Sequence, residues 1–124
     1  MSEANCIGEG TPVLKEDEAL ARVKLPARRR SVNVKYEHGG RRFFAGVGFD
    51  AAGVVKELWI DGPKAGSGEQ AALHDASAVV SVALQYGAPI AALAAAVDMQ
   101  DDQPVSALGA AVMLAAALER EMVG

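Results

Sequence analysis

Between Gly66 and Pro89 the sequence specifies one helix together with both of its ends. Ser67 followed by Gln70 is a capping box, in which each side chain satisfies a backbone N–H that the first turn leaves free. Ala72, Leu73, Ala76, Val79, Val80, Ala83 and Leu84 recur at helical spacing as an apolar stripe, and Gln70, His74, Ser77, Ser81 and Gln85 form a polar stripe beside it. Gly87 stands where a left-handed residue closes a helix, and Pro89 can open the next one. Whatever else the chain does must be arranged around this rod of about five turns.

Upstream of the helix the period changes from helical to twofold. Val32, Val34 and Tyr36 alternate with Ser31, Asn33, Lys35 and Glu37, His38-Gly39-Gly40 marks a turn, and Arg42 to Phe49 alternates again. Gly46 and Gly48 share a face with Arg42 and Phe44 and leave bare sheet there. Asp50 to Gly53 reads as a second hairpin loop, and Val54 to Ile60 as a third strand. Downstream, a short helix is expected from Pro89 to Val97, then an acidic link from Asp98 to Gln103. A last helix, capped by Ser106, should run to about Met122. The fold class is therefore α+β: a three-stranded antiparallel β-meander followed by three α-helices packed on one face. Residues 1–30 show no sustained periodicity and are expected to be a flexible N-terminal arm, with residues 31–124 as the folded domain.

Charge is unevenly spread. Residues 22–42 hold eight basic residues against one acid, whereas residues 61–124 hold two basic and eight acidic residues. Arg28, Arg29, Arg30, Lys35, Arg41 and Arg42 form a candidate basic face, with Tyr36 and Phe44 as stacking groups, suited to a nucleotide or single-stranded nucleic acid. The overall net charge of −4 works against strong non-specific binding of such polyanions. A second candidate, an anion site of Lys64, Ser67 and His74 at the helix entry, lacks the residue order of a phosphate loop. His74 beside Asp75 does not make a catalytic pair, since neighbours on a helix point about 100° apart. His38 lies at a hairpin tip. Asp98, Asp101 and Asp102 lack the oxygen spacing of a calcium loop. The one cysteine, Cys6, can form neither an internal disulfide nor a zinc cluster, so no metal and no cofactor is expected. No secretory leader pattern is present, and the longest apolar run, Ala107–Leu118, is too short to span a bilayer. A cytoplasmic protein without membrane contact is the expectation.

Leu84, Tyr86, Gly87 and Pro89, at the end of the long helix, reproduce a leucine-x-tyrosine-glycine-x-proline pattern. With the preceding hairpin and third strand, the chain from about residue 30 to 122 resembles the TSCPD domain. That domain is found at the C-terminus of adenosylcobalamin-dependent (class II) ribonucleotide reductases and as a free-standing protein. One departure concerns the motif that names the family, which should precede the last helix. Here that place reads Val105-Ser106-Ala107-Leu108-Gly109, with the serine kept and the cysteine gone. The resemblance implies a non-catalytic accessory module of deoxyribonucleotide metabolism, whose partners would be a reductase, a nucleotide or single-stranded nucleic acid. The linked enzymes use a radical-forming cysteine and a reducing pair, which one cysteine cannot supply, so a reductase label would be inherited from them. Few aromatic and many alanine residues suggest a homo-oligomer formed through the helices. Two rival readings are a small enzyme acting on a phosphorylated substrate near Lys64, Ser67 and His74, and a purely structural oligomer built on the last helix.

Overall fold

The computed structural model describes residues 21–26, 29–62 and 68–123. Three strands, β1 (Ser31–His38), β2 (Arg41–Phe49) and β3 (Val55–Asp61), form an antiparallel sheet in sequential order. Helix α1 (Gly68–Gln85) follows, then α2 (Ile90–Ala96), a two-residue hairpin of β4 (Met99–Gln100) and β5 (Gln103–Pro104), and α3 (Ala107–Val123). The α+β class and the meander are as the alternation predicts.

Strand alternation decides what the sheet buries. Phe43, Ala45, Val47, Leu58 and Ile60 all point to one side and are closed from solvent. They meet Leu84, Ile90, Ala107, Ala111, Val112, Ala115 and Ala116 from the helices in one core. Helix α3 lies under β2 and β3 with α2 on its flank, and the small alanines let it approach closely. Glu119 of α3 accepts a hydrogen bond from the Val55 N–H at 2.8 Å, fixing the helix to the start of β3. Asp50 holds the second hairpin loop by accepting from Ala52 N–H and Val54 N–H, while Gly53 takes φ +84°.

Helix α1 packs mainly against β3, the strand that follows β2 at the sheet margin. Its orientation corrects the sequence reading of its two stripes. Ser77, Ser81 and Gln85 of the polar stripe are buried, whereas Ala72 is exposed and Val79 is 68% exposed. The reason lies in β3, whose outer backbone groups need partners that apolar side chains cannot offer. Ser81 Oγ accepts from the Leu58 N–H at 2.9 Å and donates to the Leu58 carbonyl at 3.0 Å, and Gln85 Nε2 donates to the Lys56 carbonyl at 3.1 Å.

The C-terminus of α1 closes as a Schellman motif. Ala88 N–H reaches the Ala83 carbonyl and Gly87 N–H the Leu84 carbonyl, with Gly87 at φ +113°. Helix α1 has no basic residue in its last turn, so cations arrive from elsewhere: Lys56 Nζ donates to the Leu84 carbonyl. Arg22 Nε donates to Gln85 Oε1 at 2.6 Å, and Val23 N–H to the Gln85 carbonyl at 2.7 Å. Residues 21–26, placed by sequence in the flexible arm, thus lie against the end of α1. At the other end of the molecule, Ser106 Oγ accepts from Gly109 N–H at 2.9 Å and caps α3 as expected. The β4–β5 hairpin stands where an acidic link was expected; Asp101 and Asp102 form its turn at φ +53° and +62°.

Candidate functional site

With every helix on one side or at the β3 margin, the other side of the sheet is open. Its residues form cross-strand rows set by the register: Ser31–Gly48–Glu57, Asn33–Gly46–Trp59 and Lys35–Phe44–Asp61, with Glu37–Arg42 at the hairpin end. Phe44 is 48% exposed and Trp59 50%, on either side of a floor made by Gly46 and Gly48. A Cβ at Gly46 would stand 3.0 Å from Asn33 Oδ1, and one at Gly48 2.6 Å from Glu57 Oε1. The glycines are what let these side chains lie flat across the sheet.

The basic set divides between the two sides. Lys35 and Arg42 are on the open face, exposed and without a hydrogen-bonded or ion-pair partner among the described residues. Arg29 reaches the same face but is held by Glu57, through Nε at 2.9 Å and a second nitrogen at 3.0 Å. That hydrogen bond, and after it the charge of Glu57, raises the Arg29 pKa. Glu57 also accepts from the Trp59 indole N–H at 3.2 Å and so helps to orient the ring. Arg30 contacts Met122 Sδ at 3.7 Å, while its carbonyl accepts from Phe49 N–H. Arg41 is on the helix side, paired with Glu69 at 2.8 Å and 5.7 Å from the centre of the Phe43 ring. Arg28 lies outside the described residues.

Tyr36 is not a stacking group of the open face. It is half-buried on the inner side, its ring centre 5.6 Å from that of Phe43, and its hydroxyl donates to the Ala107 carbonyl at 2.9 Å. Burial pushes its pKa up to about 12. The exposed aromatic beside Phe44 is Trp59, and strand alternation could have found it. Of the anion-site residues, Lys64 and Ser67 lie outside the described residues, as does the Ser67 end of the capping box. His74 Nε2 is 3.0 Å from Asp61 Oδ1. Within the helix-end motif Leu84 is buried in the core, Tyr86 is exposed, Gly87 makes the left-handed turn, and Pro89 is the N-cap of α2.

A cleft of about 470 Å³ opens on the helix side, where the β1–β2 hairpin meets the starts of α1 and α3. Phe43, Leu73 and Leu108 line it, with His38, Arg41 and Glu69 also on its wall. His38 Nε2 donates to the Val105 carbonyl at 2.9 Å and ties the hairpin tip to the entry of α3. Among the described residues no group of three His, Cys, Asp or Glu side chains could hold a metal ion, and no helix is long and apolar enough to cross a membrane.

Over 69 residues, 56% of this chain, the sequence is 33% identical to a Vitamin B12-dependent ribonucleotide reductase of Agrobacterium fabrum (strain C58 / ATCC 33970). The aligned stretch amounts to 5% of that reductase. No solved structure matches the chain. The family model described as the TSCPD domain matches residues 18–122, from before β1 to the end of α3, and the chain belongs to the TSCPD domain family.

Proposed function

We propose that this protein is a non-catalytic accessory module of ribonucleotide reduction, which works by binding a reductase and by associating with itself. Family membership and the likeness to a Vitamin B12-dependent reductase support the link. A single cysteine in the whole sequence supports a binding role, because the chain alone cannot provide a reducing thiol pair. The observation that carries the reading is the cleft between the hairpin end, α1 and α3. Its apolar lining of Phe43, Leu73 and Leu108 suits an apolar side chain of a partner segment, and the exposed Arg41–Glu69 pair on its wall offers polar contacts of either sign at the rim.

The test is a calorimetric titration of the chain into a B12-dependent ribonucleotide reductase, with parallel titrations of a deoxynucleoside triphosphate and a short single-stranded DNA. Saturable binding to the reductase, weakened at least tenfold by Ala72→Arg, supports the proposal. Ala72 is exposed on α1 at the cleft, so the added side chain blocks the opening without entering the core. Binding of nucleotide or DNA with no binding of the reductase would overturn it.

A further inference from the structure

Among the described residues the open face of the sheet is chemically balanced. Arg29 is committed to Glu57, which leaves Lys35 and Arg42 as cations against Glu37 and Asp61 as anions. A face with no net charge gives a polynucleotide little to neutralise. It does expose Trp59 and Phe44, and a half-exposed tryptophan is the side chain that most often anchors a protein–protein contact.

From the register of the three rows we infer that the occupant of this face is a second copy of the chain, with the two sheets packed face to face about a two-fold axis running along β2. The inference rests on the self-association part of the proposed function and names its surface. Such an axis keeps each row at its own level and exchanges β1 with β3. Lys35 then stands over the partner's Asp61, and Asn33 over the partner's Trp59. The indole lies across the partner's Asn33, whose side chain is laid flat over Gly46, and Phe44 meets the partner's Phe44 at the axis. His74 holds one oxygen of Asp61, and among the described residues nothing holds the second, which faces the ammonium of the partner's Lys35. Arg42 falls near the axis opposite the partner's Arg42, and the Glu37 carboxylate directly across the strand offsets that repulsion. A self-complementary patch of this kind is what a two-fold interface requires.

The exposed side of α1, with Val79 and Val82, is the rival surface. It has no matching charges, since α1 carries Glu69 and Asp75 and no lysine or arginine. The sheet face is small, roughly 14 Å across three strands and 23 Å along seven residues, so the dimer is a reversible one.

Sedimentation of the full chain from about 1 to 200 μM spans the range expected for an interface of this size. Emission of the single tryptophan, recorded over the same range, reports whether Trp59 is covered. The wild-type chain should dimerise with a blue shift of that emission. Lys35→Asp and Asp61→Lys should each weaken the dimer about tenfold or more by placing like charges together, and the double exchange should recover most of the loss. Both positions are exposed, so the core is untouched; Asp61→Lys gives up only a surface contact with His74, which Lys35→Asp leaves in place. A wild-type dimer indifferent to all three variants would overturn this surface while leaving self-association standing. A chain that is monomeric at the highest concentration would overturn both. A monomer that binds single-stranded DNA through Lys35 and Arg42 would assign the face to nucleic acid instead.

Discussion

Ser81 Oγ and the backbone of Leu58 exchange two hydrogen bonds, one in each direction, at 2.9 and 3.0 Å. A helical side chain thus takes the place that a neighbouring strand would otherwise fill, and both groups are buried. Ser81→Ala leaves the Leu58 N–H and carbonyl without partners, and should cost about 1–3 kcal/mol in urea unfolding. Ser77→Ala is the control. Ser77 is equally buried, but its hydroxyl donates to the Leu73 carbonyl of its own helix, so its loss should change stability by less than about 0.5 kcal/mol.

Gly48 and Gly46 should respond differently to alanine. At Gly48 the new Cβ lies 2.6 Å from Glu57 Oε1 and 3.1 Å from Glu57 Cβ, which forces the carboxylate away from Arg29. Faster tryptic cleavage after Arg29, by several-fold, and a changed tryptophan emission are the expected signs. At Gly46 the nearest atom is Asn33 Oδ1 at 3.0 Å, which leaves the Arg29–Glu57 pair in place, so cleavage should be unchanged.

Tyr36 makes stability fall at high pH. Its folded pKa is raised to about 12 by burial, above the ordinary tyrosine value of 10.0, so the folded state holds the phenol proton more tightly than the unfolded chain. This contribution is complete below pH 10 and is lost as pH rises towards 12. Thermal melts across that window should show the decline, and Tyr36→Phe should flatten it. The variant should also lose about 1 kcal/mol at neutral pH, because its hydroxyl no longer donates to the Ala107 carbonyl.

The β4–β5 turn is open to improvement. Asp101 and Asp102 both sit at positive φ, side by side and with like charge. Replacing them with Asn-Gly, the pair that a two-residue turn of this hand prefers, should raise stability by about 0.5–1 kcal/mol in denaturant unfolding.

Much of the fold is legible because its signals are local. Alternation from Ser31 to Ile60 places the strands, and Gly87 and Ser106 mark helix ends that the backbone confirms. The facing of α1 is not local. Its polar stripe turns inward because Leu58 and Lys56 present unpaired backbone groups, and no periodicity within α1 records that. The same twofold period that reveals the strands also separates Lys35 from Tyr36 and Arg41 from Arg42. A basic face that joins them conflicts with the alternation. Read strictly, it would have put Trp59 with Phe44. The β4–β5 turn stays hidden because aspartate rarely adopts the left-handed region that glycine enters freely.

Covering β3 with side chains has a consequence for misassembly. Ser81 and Gln85 occupy the outer hydrogen-bonding sites of Leu58 and the Lys56 carbonyl, and α1 lies along the strand, so an extended segment of another molecule is kept from adding to the sheet there. Strand addition, the first step towards cross-β fibrils, is confined to β1, where Lys35 and Glu37 discourage it. Loss of the Ser81 hydroxyl would therefore do more than weaken the fold: by loosening the hold of α1 it would make openings that expose the Val55–Asp61 segment, rich in β-formers, more frequent, and with them aggregation.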